Sequence, residues 1–182
     1  MPELTDSVVA SAQRGEREAL RIVYEVLAPS VHGYLRAKGV ADAEAVTSDV
    51  FVALLPQLDR VTGGASGLRK LTFAIAHARM VDDYRNRART PASVSYQADE
   101  DTRTVTSAEE DAGANLATAR VRAVLDLLPE DQCEVLTLRV IADLTVEQVA
   151  AIMGRSPGAV KQLQRRGMVT VRKALAERQV TL

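Results

Sequence analysis

Apolar positions recur along this chain at the three- and four-residue spacing of α-helices, and no alternating run of β-branched residues with Asn-Gly or Asp-Gly turns argues for sheet. The pattern predicts an all-α protein. Thr5 or Asp6 caps a first helix that ends near Gly15. A second runs from about Glu16 to Leu27, Pro29 interrupts it, and Ser30–Lys38 continues to Gly39. The third spans Ala41–Leu55, with Ala43, Val46, Val50 and Leu54 facing inward and Asp42, Glu44, Thr47 and Asp49 off that stripe. Asp59–Gly67 carries three glycines, Ser66 and Thr62, and reads as a loop. Leu68, Leu71, Ile75 and Ala78 mark the inward face of a fourth helix reaching Arg89; Phe51, Phe73 and Ile75 read as core.

Helical spacing then stops. Residues 90–115 hold Pro91, Gly113, many Ser and Thr, and six acids against the single Arg103. Nothing there can bury itself, so the segment reads as a flexible acidic linker. It divides the chain into an N-terminal helical domain, 1–89, and a C-terminal one, 116–182. The latter opens on a helix carrying Val121, Val124, Leu125 and Leu128, and Pro129 starts another that runs to about Ala142. Thr145-Val146-Glu147-Gln148 has the form of a capping box and begins a short helix with Val149, Ile152 and Met153 inward. Gly154-Arg155-Ser156 breaks it. Pro157 then opens a last helix with Val160, Leu163, Gly167 and Val171 inward.

Composition narrows the chemistry. The net charge of −1, from 23 basic and 24 acidic residues, excludes a uniformly basic binder but not a locally basic one. One cysteine, Cys133, excludes an internal disulfide, and two histidines, His32 and His77, leave no set for a metal centre. No cofactor and no catalytic group is expected: Gly63-Gly64-Ala65-Ser66-Gly67 lacks the Lys-Ser/Thr of a phosphate loop. The longest apolar run, Val50–Leu55, is too short to span a membrane. With no secretory signal visible, the expectation is a soluble cytoplasmic chain.

A capped short helix, a glycine turn and a longer basic helix over Thr145–Lys173 make a helix-turn-helix. Its second helix suits the DNA major groove. Ser156, Pro157, Gly158 and Ala159 keep the approaching end small; Lys161, Gln162, Arg165 and Arg166 supply donors for base edges and phosphates. A second basic surface is the end of the Leu68–Arg89 helix, where Arg79, Arg85, Arg87 and Arg89 outnumber Asp82 and Asp83. A glycine-rich loop beside such a helix can hold an unstacked base while cations track the backbone. Asp82 and Asp83 read as ion-pair partners of the neighbouring arginines.

In this order the segments resemble the extracytoplasmic-function (ECF) sigma factors of bacterial RNA polymerase, from about Gly15 to Ala176. The resemblance rests on Gly15–Leu20 with Ala28–Arg36, on Asp42–Phe51, on Ile75–Arg85, and on Leu128–Arg139 with Leu144–Gly154 and Ser156–Lys161. It implies a promoter-specificity subunit rather than an enzyme, acting in transcription initiation. Asp42, Glu44, Thr47, Asp49 and Phe51 would grip the β′ clamp helices of core RNA polymerase, and the β flap would be a second polymerase contact. Val61–Gly67, with Val61, Gly63, Gly64 and Ser66, would hold a flipped base of the promoter; Arg79, Asp82 and Arg85 would lie beside the melting strand. Ser156, Lys161, Gln162, Arg165 and Arg166 would read the distal promoter element, and an anti-sigma protein would be a further partner. The chain departs from the family's pattern at Ala45, Ser48, Leu71 and Ala78. The competing reading is a stand-alone helix-turn-helix repressor or activator that needs no polymerase.

Overall fold

The computed structural model describes residues 2–89 and 121–179, apart from the side chains of 88, 89, 178 and 179. The acidic linker at 90–115, the start of the C-terminal segment at 116–120 and the side chains of Arg89 and Arg178 lie outside the described residues. The described residues form helices and no strand. These include α1 (Asp6–Gln13), α2 (Arg17–Ala37), α3 (Ala43–Leu54), a 3-10 helix (Leu55–Arg60), α4 (Gly64–Arg89), α5 (Glu130–Val140), α6 (Val146–Met153) and α7 (Pro157–Gln179), and residues 121–125 are helical as well.

Several boundaries follow from single side chains. Thr5 caps α1 by accepting from the Val8 amide, and Asp42 caps α3 by accepting from the Ala45 amide at 2.9 Å. The break predicted at Pro29 does not occur, because α2 runs unbroken for 21 residues. Pro29 is exposed, while Leu27, Ala28, Val31, Tyr34 and Leu35 are buried and hold the helix together across the hydrogen bond the proline omits.

The predicted inward stripe of α3 also shifts. Thr47 is buried beside Ala43, Val50, Phe51 and Leu54, its hydroxyl donating to the Ala43 carbonyl at 2.6 Å. With its polar group satisfied inside its own helix, the methyl face packs like an apolar residue. On α4, Ala78 is exposed and Leu71 and Ile75 are half-buried; the deeply buried positions are Leu68, Thr72, Phe73, Ala76 and Met80.

Two large cores organise the described residues, beside a small third one of Leu128, Cys133 and Leu136. One joins α1, the first half of α2, the end of α3, the 3-10 helix and the start of α4 through Val9, Val23, Leu27, Leu54 and Leu68. The other crosses the molecule. Tyr34, Leu35, Val50, Phe73 and Met80 from the N-terminal segment pack with Val135, Leu138, Leu144, Val149 and Val160 from the C-terminal one. Tyr34 meets Phe73 edge-on at 5.8 Å between ring centres, a favourable aromatic geometry.

Candidate nucleic-acid interface

The helix-turn-helix is built as its sequence spacing requires. The Thr145 hydroxyl accepts from the Gln148 amide at 3.2 Å, and the Gln148 side chain accepts from the Thr145 amide at 2.9 Å, closing the capping box. Gly154 ends α6 in the left-handed conformation at φ 62°, a turn that costs glycine nothing. The Ser156 hydroxyl accepts from the Ala159 amide at 3.2 Å and so starts α7. Val149, Ala150 and Val160 are buried where the two helices cross.

That packing fixes which face of α7 remains in solvent. Val160 and Gly167 are buried; Lys161, Gln162, Arg165 and Arg166 are exposed. They lie in two i,i+4 rows, 161 with 165 and 162 with 166, so the donors form a comb on one side of the helix. None of the three cations in it forms an ion pair among the described residues. Arg155, in contrast, is held to Asp131 on α5 at 2.6 Å. Ser156, also exposed, serves as the helix cap.

The loop predicted at Asp59–Gly67 is shorter. The 3-10 helix occupies Leu55–Arg60, and Gly64–Gly67 form the first turn of α4. Two long-range side chains fix it. Gln13 donates to the Leu58 and Val61 carbonyls at 3.0 and 2.9 Å, and Asp6 accepts from the Ala65 amide at 2.8 Å. Gly67 is required by sterics, since a Cβ there would stand 1.8 Å from the Thr62 carbonyl oxygen. Thr62, Gly63 and Ser66 remain exposed at the tip, while Val61 is half-buried.

Arg79 and Arg85 are exposed farther along α4, at about 20 and 29 Å from Ser66 by helical rise. Arg85 is 3.8 Å from Asp82, and Arg87 is 2.7 Å from Asp83, the ion pairing expected of these acids.

Of the five residues on the Asp42–Phe51 segment, Asp42, Glu44 and Asp49 are exposed. Thr47 and Phe51 are buried, and Phe51 packs on Tyr24 at 4.7 Å between ring centres. Their side chains therefore shape the segment from behind and are not on its outer surface. Tyr24, Val52 and Leu55, which sequence spacing did not single out, leave an apolar exposure on the neighbouring turns.

Sequence reasoning missed a buried polar cluster between the segments. Lys38 Nζ lies 2.8 Å from Glu134 Oε2, and each side chain is only 5% exposed. Tyr34 donates its hydroxyl to Glu134 Oε1 at 2.6 Å, and His77 Nδ1 lies 3.0 Å from the same oxygen. Burial by itself would raise the Glu134 pKa, but the hydrogen bond with His77 and the charge and hydrogen bonds of Lys38 and Tyr34 hold it below the usual carboxylate range. Burial beside the same carboxylate pushes the Tyr34 phenol well up. Tyr34 and Lys38 stand four positions apart at the end of α2, but His77 and Glu134 are far from them and from each other, so no local signal reveals the cluster. Cys133 is also buried, and burial raises its thiol pKa, which disfavours the reactive thiolate.

Residues 124–173 match the Sigma-70 region 4 family. Over 172 residues the chain is 31% identical to the ECF RNA polymerase sigma factor SigD of Mycobacterium tuberculosis, covering 91% of this chain and 81% of SigD. It is 35% identical over 137 residues to the ECF RNA polymerase sigma factor ShbA of Streptomyces griseus, covering 74% of this chain and 71% of ShbA. Among solved structures, CnrH in complex with the cytosolic domain of CnrY is similar in fold, with a TM-score of 0.67 at 22% identity over 96% of this chain and 99% of that one.

Proposed function

The chain belongs to the ECF sigma factors of RNA polymerase, and we propose that its exposed surfaces divide the work of promoter selection among distinct side chains. As a member of that family it acts with core polymerase at promoter DNA in transcription initiation. Such factors are initiation subunits and carry out no chemistry of their own. No helix among the described residues is long and apolar enough to cross a membrane.

In this reading the 1–89 domain holds polymerase and the proximal promoter element, and the 116–182 domain reads the distal element. Lys161, Gln162, Arg165 and Arg166 face the major groove, with Ser156 at the approaching end. The observation that carries the assignment is the solvent-facing comb, whose cations form no ion pair among the described residues, on the second helix of a capped helix-turn-helix. Val61, Gly63, Gly64 and Ser66 form the loop that receives an unstacked base, and Arg79 and Arg85, the latter beside Asp82, follow the strand along α4. Asp42, Glu44 and Asp49 contact the β′ clamp helices, with Thr47 and Phe51 holding their helix in place from beneath. The β flap engages the C-terminal domain. An anti-sigma protein is the natural inhibitory partner, and the cytoplasm, where polymerase works, the natural location. A stand-alone repressor is not favoured, because the similarity to SigD extends over both segments.

Run-off transcription with purified core polymerase on a promoter library tests this division. Arg165→Ala weakens recognition at a distal-element base pair by about 1–3 kcal/mol, the value of one bidentate base contact. Asp49→Lys lowers core binding in a sedimentation or pull-down assay and leaves the distal preference intact. An Arg165→Ala profile identical to wild type refutes the groove-facing assignment.

A further inference from the structure

We propose that Asp6 and Gln13 of α1 are positioning residues for promoter opening: between them they hold both ends of the loop read above as receiving an unstacked base. The inference rests on that reading of the loop and deepens it.

The loop has little of its own to hold its shape. It leaves the 3-10 helix at Arg60, enters α4 at Gly64, and turns through Gly63 and Gly64 at φ 82° and 58°. Glycine tolerates that backbone but has more alternatives to it than any other residue, so order comes from elsewhere. The first amides of a helix need acceptors, and Gly63, just before α4, has no side chain to offer one. α1 supplies the acceptor from a distance. Asp6 Oδ1 accepts from the Ala65 amide at 2.8 Å, capping α4 from 59 positions upstream. Asp6 lies so close that a Cβ on Gly64 would collide with it. At the other end of the loop, Gln13 Nε2 donates to the Leu58 and Val61 carbonyls at 3.0 and 2.9 Å.

Asp6 opens α1 and Gln13 closes it, so the two share one face with about 10 Å of helix between them. Val9, between them on that face, is buried in the core that also holds Leu58 and Leu68. α1 is thus a splint, fixed by its apolar side and gripping the loop at each end. Asp6 is exposed and Gln13 half-buried, and hydrogen bonds in such places contribute modestly to global stability. Their effect falls on the loop. A loop ordered in advance has already lost its conformational freedom, and capture of the base does not have to supply that cost. Without an anchor the loop spreads over several arrangements, and capture falls with the fraction that remains competent.

The test uses the full chain bound to core polymerase. Promoter fragments carry each base in turn at every position of the proximal element, and opening is read by permanganate footprinting. Asp6→Ala and Gln13→Leu each lower opening on the preferred fragment by on the order of tenfold, following the competent fraction. Fragments with an unpreferred base at the captured position open without the loop and do not change. Base preference therefore flattens at that one position, while core binding and distal preference persist. Asp6→Asn restores opening to within about twofold of wild type, because an amide oxygen still caps Ala65.

Wild-type base preference in both Asp6→Ala and Gln13→Leu, with helix content intact by circular dichroism, overturns the proposal. Loss spread evenly over all fragments overturns it too, since a merely structural role has that signature. Asp6→Asn opening no better than Asp6→Ala overturns the cap. Where Asp6→Ala loses helix content, Gln13→Leu decides. Ser66→Trp, which fills the loop tip, separates the two levels. Wild-type opening by that variant sinks the reading of the loop. Lowered opening there, beside unchanged opening in Asp6→Ala and Gln13→Leu, sinks the anchors alone.

Discussion

Tyr34→Phe removes one oxygen from the centre of the molecule and little else. The ring is fully buried and keeps its edge-on contact with Phe73, so the substitution opens no cavity of the size a Leu→Ala change makes. What is lost is the hydroxyl that donates to Glu134 Oε1 at 2.6 Å. A hydrogen bond to a charged acceptor contributes about 1.5–3 kcal/mol. Glu134 keeps Lys38 and His77, so the carboxylate is not left bare and the cost stays within that range. For a chain of this length the melting temperature falls by roughly 3–12 °C. Urea unfolding followed by circular dichroism at neutral pH gives the free energy directly, with an unchanged m-value showing that the unfolded state is not responsible. A difference below about 0.5 kcal/mol, the range of a neutral surface substitution, would falsify the claim that this hydroxyl ties α2 to α5.

Two further outcomes follow from the same geometry. Glu134 faces Lys38 and Tyr34 from α2 and His77 and Tyr84 from α4, with Cys133 beside it, and its pKa is depressed in the folded chain. Its stabilising contribution is therefore complete above about 4.5, the ordinary carboxylate value, and is lost as pH falls through the lowered value. Thermal melts from neutral to about pH 3 show this acid branch in wild type and its loss in Glu134→Gln. Gly67→Ala drives a methyl into the Thr62 carbonyl and forces the loop tip apart from the start of α4. Permanganate footprinting of the holoenzyme then shows reduced melting of the proximal element, while distal-element binding persists.

Legibility in the sequence followed the range of each interaction. The capping box at Thr145 and Gln148, the turn at Gly154 and the outward comb on α7 are local, and spacing alone locates them. Pro29 misled because its local effect is real, but a solvent-facing proline can sit in a helix held by seven buried neighbours along its length. Thr47 misled because its polarity is satisfied within its own helix. The start of α4 at Gly64 depends on Asp6, 59 positions upstream of the amide it caps, and no window of sequence contains both. The cluster around Glu134 is less legible still, since Tyr34 stands 100 positions away. Read separately, Lys38 and His77 look like surface residues; only the topology shows that they share a carboxylate.

Gln148 carries two duties on one amide. Its oxygen closes the capping box of α6, and its nitrogen reaches Ser66. A glutamate would serve the first duty equally well, since either residue completes such a box, but it has no hydrogen to offer outward. The terminal group is thus keyed by its polarity: turned end for end, it would lose the Thr145 amide and the Ser66 carbonyl at once. Were Ser66 replaced by alanine, the oxygen would stay at its post and the helix would keep its beginning.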